Sequence, residues 1–382
     1  MTYAALAGWG KCLPPAVLTN ADLATFLPTD DDWIVSRTGM KERRISHVSG
    51  LQLAHVAAVR ALACAGMAAG ELDLILYGSC SADEHVPNSA SGIQAKLGAH
   101  RAAAMDVNTA CTSFLYGLST ATAMIKSGAV KNVLVIGVEV ISPFMDWNNR
   151  NVAVLFGDGA AAFVLRASDA QGKDAEEGAV EGVIAEKLQC YADARQTLRV
   201  RGKGAAYANK GMFYGDTQWD FDGPEIFKRA VTGMAEASIE VMAKAGVTID
   251  DIDVVVPHQA NLRIIEAVAK RAGAPMEKVF LTVHKYGNMS AATAPVALVE
   301  AIEAGRVKAG GLVLMPAFGA GLTLSTHLIR WGQRLTPVAV SDIELPPCDK
   351  TALEMVQTFM RNKEPAGRSD AALNSVRFIE AA

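Results

Sequence analysis

The sequence predicts a layered α/β protein, and three observations support this. Apolar residues make up 51% of the 382-residue chain and charged residues 20%, the profile of a compact globular protein. Short apolar runs alternate with segments of helical periodicity. One part of the chain also repeats another at a fixed spacing. Alternating strands and helices with an internal repeat are typical of two related α/β units packed together.

Four strands are predicted from short apolar runs bounded by Gly, Pro or charged residues. They are Leu72–Tyr77, Val133–Gly137, Val254–Val256 and Leu312–Met315. Helices are predicted at Leu51–Gly66 and Phe227–Gly246, where apolar residues recur at helical spacing. Each predicted strand is almost wholly apolar, so each is expected to be buried.

The repeat is clearest before the first and third of these strands. Gly66 and Gly246 each precede an apolar-Asp pair and a strand, at an offset of 180 (246 − 66). Further on, Gly128 and Gly305 begin a second matching stretch at an offset of 177 (305 − 128). The alternative is the weak likeness that any two α/β units share. Two separate elements keep their register, which favours a duplication.

The duplication predicts two halves, residues 1–171 and 172–331, whose equivalent helix starts meet at one site. The offset of 177 places Asn288 in the position of Cys111, each at the start of a helical pattern. Residues 332–382 fall outside the repeat and form a C-terminal extension of unknown role. We expect it to dock on the protein, because four of its residues offer an apolar face: Leu353, Val356, Phe359 and Met360.

Charge and cysteine content exclude several classes of function. The net charge of −4 gives no reason to expect nucleic-acid binding. The six cysteines include no C-x-x-C pair and no Cys/His cluster, so we expect reduced thiols and no metal centre. The first residues do not form a signal peptide, and no apolar run approaches the roughly 18 residues of a membrane span. These features predict a cytoplasmic protein without membrane insertion.

Cys111 is the candidate nucleophile. It follows a predicted strand end and turn, and apolar residues recur at helical spacing after it, so it falls at a helix N-terminus. There the helix dipole and unpaired N–H groups favour the thiolate, the form that attacks thioesters. A small buried hydrophobic residue is the alternative, because most free cysteines are of that kind. Position alone does not decide between the two.

His258 and Asn288 are weaker candidates when each is taken singly. His258 follows a predicted buried strand, where open α/β sheets place ligands and catalytic groups. Asn288 follows a glycine turn and precedes a helix. An ordinary hydrogen-bonded histidine and a helix N-cap are the alternatives.

Six segments of the sequence closely resemble the motifs of β-ketoacyl-acyl carrier protein synthase III, in the order of that family and across residues 1–331. They are Asp32–Gly39, Asp106–Leu118, Phe156–Ala160, Pro257–Arg263, Tyr286–Ala292 and Ala317–Thr323. The resemblance implies the thiolase fold, in which two duplicated α/β halves pack as a five-layered αβαβα core. It also implies a homodimer.

The resemblance implies a Cys-His-Asn site at Cys111, His258 and Asn288. Cys111 would take the acyl group of an acyl-coenzyme A as a thioester. His258 and Asn288 would hydrogen-bond the thioester oxygen of malonyl-acyl carrier protein while carbon dioxide leaves. The carbanion would attack acyl-Cys111, whose oxyanion the backbone N–H groups of Cys111 and Ala320 would hold. The implied product initiates fatty acid synthesis. Coenzyme A enters as the substrate's thioester, and no cofactor or metal is expected.

The resemblance also implies two sets of binding residues. Five residues would contact coenzyme A, namely Trp33 on the adenine, Arg37 and Arg150 by the adenine and phosphates, and Phe227 and Asn261 along the pantetheine tunnel. Three basic residues would receive the acidic acyl carrier protein: Arg263, Lys270 and Arg271. For the basic set, the alternative is a solvated helix face.

Val86 departs from the family pattern. It stands where acetyl-selective bacterial members carry Phe, at a position that crosses the dimer interface and closes the partner's acyl pocket. The smaller side chain leaves room for several methylenes, and each buried methylene contributes about 0.8 kcal/mol. We therefore expect a medium-length or branched acyl-coenzyme A to be preferred over acetyl-coenzyme A.

Several related and unrelated functions compete with this interpretation. Relatives with the same three residues make secondary-metabolite ketides, join two acyl-coenzyme A molecules or transfer acyl groups to hydroxyls. Degradative thiolases need a second reactive cysteine in the C-terminal half, and the latest one here, Cys348, lies in the extension. Ketoacyl synthases I and II use two histidines where this chain has Asn288 at the second position. A non-catalytic acyl-binding protein is disfavoured by an intact Cys-His-Asn set.

Overall fold

The computed structural model describes residues 2–169, 180–202, 204 and 217–363. The strands are β1 Thr2–Cys12, β2 Val17–Thr19, β3 Glu42–Arg44, β4 Leu74–Gly78, β5 Ala103–Val107, β6 Asn132–Glu139, β7 Gly159–Asp169, β8 Gly182–Cys190, β9 Leu198–Arg201, β10 Gln218–Phe221, β11 Val254–Val255, β12 Leu312–Gly319 and β13 Thr323–Arg330. The α-helices are α1 Asn20–Ala24, α2 Asp31–Thr38, α3 Gly50–Ala65, α4 Ser89–Leu97, α5 Ser113–Lys126, α6 Arg150–Ala153, α7 Gly223–Lys244, α8 Leu262–Ala272, α9 Val283–Tyr286, α10 Thr293–Glu303 and α11 Ala352–Lys363.

Two mixed sheets form the core. The first has the strand order β1-β7-β6-β4-β5 and the second β11-β12-β13-β8. Helices α5 and α10 lie between the sheets and share one buried cluster with both of them. Helices α3 and α4 cover the outer face of the first sheet, and α7 covers that of the second with α8 beside it. These layers are the αβαβα arrangement of the thiolase fold, as predicted.

The internal repeat is visible in the backbone. The parallel pairing of Leu74 with Val133 in the first sheet recurs as the pairing of Val254 with Val313 in the second, at an offset of 180. The turns that precede α5 and α10 also match at this offset. Ala110 in the first turn has φ of 52°, and Ser290 in the second has φ of 46°. Left-handed backbone is uncommon outside glycine, so its recurrence at equivalent positions marks a shared turn geometry.

The structural counterpart of Cys111 is Ala291, which corrects the sequence alignment that paired Cys111 with Asn288. Helix α5 has 14 residues and α10 has 11, so the offset falls from 180 to 177 only towards the helix ends. The loop before β12 restores it, because β6 and β12 again match at 180. Asn288 therefore corresponds to Asn108. The prediction that two equivalent helix starts meet holds, since the turn Ala110–Thr112 contacts the turn Ser290–Ala292.

Close packing of α3 on β1 explains why small residues fill this part of the sequence. Ser49 caps α3 and forms a reciprocal capping box with Gln52. A Cβ atom at Gly8 of β1 would lie 2.3 Å from the carbonyl oxygen of Ala61, so only glycine allows this approach. The alanine-rich face of α3 is buried against the sheet.

The described part of the C-terminal extension lies along the N-terminal half. The Arg334 guanidinium donates to the carbonyl oxygens of Ala7 and Cys64 and sits 5.1 Å from the ring centroid of Trp9. Helix α11 then packs against the 3-10 turn Ser142–Phe144. Its apolar face is covered: Val356 is fully buried, and Leu353, Phe359 and Met360 are partly buried in the same cluster.

Candidate active site

Cys111 lies in a tight 3-10 turn that leads directly into α5. The backbone N–H of Thr109 donates to Ser113 Oγ at 2.9 Å, and Ser113 Oγ donates to the carbonyl oxygen of Ala110 at 2.7 Å, which fixes this turn. The end of β12 closes over it: a Cβ atom at Gly319 would lie 2.9 Å from the backbone nitrogen of Cys111. The predicted helix start is thus a 3-10 turn, with the α-helix itself beginning two residues later.

The pKa of the Cys111 thiol is raised to about 11, mainly by burial and also by the nearby carboxylate of Glu139. The Ser290 hydroxyl and the backbone N–H groups of Cys111 and Ala320 act in the opposite direction, because they donate to the sulfur. The expectation of a resting thiolate is therefore wrong: desolvation outweighs the donors at the helix start. The Ala320 N–H does lie beside the sulfur, which is where an oxyanion donor is needed.

Asn288 is fixed by the turn before α10. Its Oδ1 accepts from the backbone N–H of Ser290 at 2.8 Å and from Thr293 Oγ1 at 3.4 Å. Its backbone N–H donates to the carbonyl oxygen of Leu155 at 2.9 Å, and its carbonyl oxygen accepts from Gly157 N–H at 3.1 Å. With Oδ1 engaged, the side-chain NH₂ is the group left to meet a ligand. The contact between Ser290 and Cys111 brings this turn to the nucleophile.

His258 follows β11 and is 1% exposed. Its backbone N–H donates to the carbonyl oxygen of Pro316 in β12 at 2.9 Å, which anchors it to the strand that ends beside Cys111. Burial lowers the pKa of His258 to about 3, so the imidazole is neutral at physiological pH. Its Nδ1 is buried and has no hydrogen-bond partner among the described residues.

Glu139 is a buried acidic residue that the sequence reasoning missed. It ends β6 directly behind the nucleophile, and its carboxylate is fully buried. It accepts from Ser81 Oγ at 2.5 Å, from Ser79 Oγ at 3.2 Å, and from the backbone N–H groups of Cys80 and Ala291 at 3.2 Å each. A single charge at the end of an otherwise apolar strand was the signal in the sequence.

Asp158 gives the Phe156–Ala160 motif a structural role. Its carboxylate accepts from the backbone N–H groups of Ser46, Ile141 and Ser142 at 2.8, 2.8 and 3.1 Å, and from Ser142 Oγ at 2.6 Å. These bonds tie together the loop that also contacts Asn288. The carboxylate of Asp158 therefore stabilises the loops around the site.

Four of the five residues expected around coenzyme A lie close together, and Phe227 lies on a separate helix. The Arg37 and Arg150 guanidinium carbons lie 4.9 and 4.7 Å from the ring centroid of Trp33. Asn261 caps α8 through Arg263 N–H, and its Nδ2 donates to the carbonyl oxygen of Arg37 at 3.1 Å. An aromatic ring with two cations suits a nucleotide base and its phosphates. Phe227 lies on the separate helix α7 and is 37% exposed.

The basic residues proposed for the carrier protein share helix α8. Arg263 lies at its start and Lys270 and Arg271 in its last turn, and all three are exposed. Arg271 pairs with Glu236 of α7 at 3.1 Å, so its charge is partly compensated. Exposed pairs of this kind contribute little to stability.

Val86 lies far from the core of its own chain. It is 87% exposed in the loop between β4 and α4. The neighbouring strand β5 forms an edge of the first sheet, and its Met105 is 39% exposed.

Among the described residues, no group of three or more His, Cys, Asp or Glu side chains could hold a metal ion. No helix in the described ranges is long and apolar enough to cross a membrane.

Comparison with known proteins identifies the family. The 3-oxoacyl-[acyl-carrier-protein (ACP)] synthase III family matches residues 105–180, and its C-terminal domain matches residues 242–331. A β-ketoacyl-[acyl-carrier-protein] synthase III 2 of Vibrio cholerae is 49% identical over 354 residues, which cover 93% of this chain and 95% of that protein. The corresponding synthase III of Roseiflexus sp. is 45% identical over 341 residues, covering 86% and 98%.

Solved structures agree with this assignment. The 3-oxoacyl-[acyl-carrier-protein] synthase III of Aquifex aeolicus matches with a TM-score of 0.78 and 40% identity, over 86% of this chain and all of that one. The priming β-ketosynthase of the R1128 polyketide pathway matches with a TM-score of 0.80 and 30% identity, over 87% and 97%. The chain is an acyltransferase with the thiolase fold, and it belongs to the β-ketoacyl-[acyl-carrier-protein] synthase III family.

Proposed function

We propose that this enzyme condenses an acyl-coenzyme A primer with malonyl-acyl carrier protein to give a β-ketoacyl-acyl carrier protein, coenzyme A and carbon dioxide. The observation that carries the proposal is the position of Cys111. Its sulfur lies at a helix start, beside the backbone N–H of Ala320 and in contact with the turn that holds Asn288. A nucleophile next to fixed N–H donors is the arrangement that acyl transfer needs.

In the first half-reaction, the Cys111 sulfur attacks the thioester carbonyl of the primer. The carbonyl oxygen becomes an oxyanion, which the N–H groups of Cys111 and Ala320 stabilise because both already point at this region. Coenzyme A leaves, and the acyl group stays on Cys111.

In the second half-reaction, His258 and Asn288 bind the thioester oxygen of the malonyl group. The neutral imidazole of His258 carries one N–H donor, and the Asn288 NH₂ supplies another. Both donors stabilise the enolate that forms as carbon dioxide leaves. Since decarboxylation generates the carbanion, this step requires no strong base.

The substrate groups outside the reacting centre fit the surface already described. Trp33 with Arg37 and Arg150 would hold the adenine and phosphates of coenzyme A. Asn261, which links α8 to the end of α2, would line the pantetheine tunnel with Phe227. Arg263, Lys270 and Arg271 would receive the acyl carrier protein, whose acidic surface suits a basic helix.

We place the acyl pocket across a homodimer interface, with Val86 closing the partner's pocket. The support is its 87% exposure together with the open outer edge of β5. Exposed apolar side chains beside an unpaired strand edge favour association with a second copy. Valine at this place leaves room for a primer longer than acetyl.

The test is a panel of acyl-coenzyme A primers from acetyl to decanoyl with malonyl-acyl carrier protein, with products identified by mass. We expect an acyl adduct on Cys111, a β-ketoacyl product, and higher kcat/KM for medium or branched primers; C111A should give neither adduct nor product. No adduct with any primer would favour a binding protein. An adduct without a malonyl-dependent product would favour an acyltransferase acting on another acceptor.

The second candidate function is ketide synthesis, which the similarity to a priming β-ketosynthase supports. A product found only with a polyketide carrier protein would support it.

A further inference from the structure

Arg43, the middle residue of β3, is a fully buried cation. Its Nε and Nη2 both donate to the carbonyl oxygen of Val154, at 3.0 and 2.5 Å. Its Nη1 donates to Asn20 Oδ1 at 2.5 Å. Within the described part of the chain, these hydrogen bonds all end on neutral oxygen atoms. Arg43 is therefore a buried charged group that the mechanism above does not use.

The guanidinium of Arg43 stays charged although it is buried. Burial lowers the pKa of Arg43 to about 9, and the carboxylate of Asp31 acts in the opposite direction. The group is therefore protonated at neutral pH. A buried charge bonded only to neutral acceptors costs free energy, so its donors must all be satisfied. Buried polar groups that are satisfied in this way make their surroundings rigid, and we expect Arg43 to hold Val154 in one place.

Val154 begins the loop that holds Asn288. The carbonyl oxygen of Leu155 accepts from the backbone N–H of Asn288 at 2.9 Å, and Gly157 N–H donates to the Asn288 carbonyl oxygen at 3.1 Å. These two bonds fix the Asn288 backbone on both sides of the side chain that is to meet the malonyl thioester. Arg43 binds the carbonyl group that directly precedes this pair in the chain.

The aliphatic part of Arg43 packs against two glycines beside Asn288. A Cβ atom at Gly157 would lie 3.2 Å from Arg43 Cβ, and one at Gly287 would lie 3.4 Å from Arg43 Cγ. Gly157 hydrogen-bonds Asn288, and Gly287 precedes it in the chain. Arg43 thus contacts both segments that carry the Asn288 backbone, through its stem as well as through its guanidinium.

Asn20 holds the other side of the guanidinium. Its Nδ2 donates to Asp31 Oδ1 at 2.8 Å and to the carbonyl oxygen of Met40 at 2.9 Å, so its Oδ1 is left to face Arg43. Asp31 is the first residue of α2, the helix of the proposed coenzyme A surface. Arg43 is therefore anchored on an element that is separate from the turn of Asn288.

We propose that Arg43 is a positioning residue for Asn288 in the second half-reaction. It holds the loop 154–157, the loop holds the Asn288 backbone, and the Asn288 NH₂ is thereby aimed at the malonyl thioester oxygen. A donor stabilises a developing enolate only when it already points at the oxygen, and a displacement of about 1 Å can cost about 10²-fold in rate. The Cys111 turn is fixed by its own hydrogen bonds, so acylation does not depend on Arg43.

The test compares R43K and R43Q with wild type in two separate assays. One measures acyl-Cys111 formation in a single turnover, and the other measures decarboxylation of malonyl-acyl carrier protein. Lysine keeps the charge but lacks the planar fork that donates twice to Val154, and glutamine removes both the charge and the fork. We expect both variants to lose about tenfold or more in decarboxylation while acylation stays within about threefold of wild type. R43Q provides the comparison if the buried ammonium of R43K prevents folding.

Arg44, the next residue of β3, provides a matched control. Its Nη1 donates to the carbonyl oxygens of Pro14 and Pro15 at 3.4 Å, and not to Val154. R44K should therefore keep both rates close to those of wild type.

A double-mutant cycle separates positioning from a general loss of stability. If Arg43 acts through Asn288, R43K should cost little once N288A has removed the donor. Decarboxylation is measured in R43K, N288A and the double variant, and again with R43Q in place of R43K. Urea titrations measure the stability of each variant. We expect the double variants to stay within about threefold of N288A.

Three results would overturn the positioning role. One is decarboxylation within about threefold of wild type in both Arg43 variants. Another is an equal loss of acylation and decarboxylation. The third is a loss that is as large in the N288A background as in wild type. The inference rests on the proposed function, but the two fail differently. If the wild type does not decarboxylate malonyl-acyl carrier protein, the function fails; if it does and the Arg43 variants match it, only the positioning role fails.

Discussion

Asn108 and Asn288 make the same hydrogen bond in the two halves of the molecule. Asn108 Oδ1 accepts from the backbone N–H of Ala110 at 3.2 Å, and Asn288 Oδ1 accepts from that of Ser290 at 2.8 Å. Duplication has thus kept the turn in both halves. Only Asn288 is buried in the site, and Asn108 is exposed.

This pair provides a matched test of the role of Asn288. Both N108A and N288A remove the turn hydrogen bond, which should lower the free energy of unfolding by about 1 kcal/mol in each. N288A also removes the weaker bond from Thr293 Oγ1, so its loss of stability should be somewhat larger. N288A should also lower malonyl decarboxylation by about 10²-fold, because one enolate donor is lost. N108A should lose far less. Parallel decarboxylation assays and urea titrations measure the two effects, and equal losses of decarboxylation would contradict a donor role for Asn288.

Val86 sets the second prediction. In V86F the larger ring fills the space assigned to the distal part of the primer. We expect the ratio of kcat/KM for octanoyl- over acetyl-coenzyme A to fall at least tenfold, since each excluded methylene is worth about 0.8 kcal/mol. E84A, in the same exposed loop, is the control and should keep the wild-type ratio. An unchanged ratio in V86F would place the end of the acyl pocket elsewhere.

The contact of β1 with α3 gives a stability prediction. G8A places a methyl group against the Ala61 carbonyl, at 2.3 Å before relaxation, so the helix must shift. We expect the free energy of unfolding to fall by about 1–3 kcal/mol. G70A is the control, because a Cβ atom there meets nothing within 4 Å, and its effect should stay within about 0.5 kcal/mol. Denaturant titration compares the two, and equal stabilities would show that the sheet tolerates a wider separation.

A partly buried network between α5 and the second sheet gives a pH dependence. Glu186 accepts from Ser119 Oγ at 2.5 Å and lies 3.2 Å from His327 Nε2, and this network lowers the pKa of Glu186 to about 2. A lowered folded-state pKa stabilises the fold above the unfolded value of 4.5, and the stabilisation is lost as pH falls towards 2. The unfolding free energy of E186Q should therefore depend less on pH between 4.5 and 2. Urea titrations at several pH values measure this, and parallel curves for wild type and E186Q would exclude the coupling.

The extension gives the last prediction. Met355 of α11 is 5% exposed and packs in the cluster beside the Ser142–Phe144 turn. M355A should lower the free energy of unfolding by about 2–5 kcal/mol, as for other buried methionines. Q357A on the exposed face of the same helix should change it by less than about 0.5 kcal/mol. If the two variants were equally stable, α11 would not be part of the cooperative fold.

The sequence predicted the α/β layers because buried strands are continuous apolar runs that periodicity detects. Predicted Val133–Gly137 lies within β6, and predicted Leu51–Gly66 corresponds to α3. The repeat was also detectable. Short matching segments, however, do not show where along the helix the three residues are lost or that the next loop restores the offset. This is why Asn288 was aligned with Cys111.

Site geometry was only partly predictable. Cys111 and His258 could be predicted as site residues, because strand ends and helix starts have recognisable sequence patterns. The position of Glu139 depends on five hydrogen-bond donors from both halves that converge on its carboxylate, and no local pattern encodes that. Left-handed backbone at Ser290 is likewise set by tertiary contacts, because a serine gives no sign of it. The pKa of Cys111 follows from burial, which a helix-start argument leaves out.

Trp331 and Arg334 pack on Trp9, and this contact affects how the chain folds during synthesis. Trp9 lies near the N-terminus, yet its ring meets Trp331 edge-on at 5.5 Å and Arg334 at 5.1 Å. A ribosome delivers Trp9 first and its two partners more than 300 residues later. The N-terminal half must therefore emerge with this indole uncovered, and the indole is covered only when Trp331 and Arg334 have left the exit tunnel. A nascent chain halted before Trp331 would carry an exposed aromatic patch that chaperones recognise, while the released protein would not.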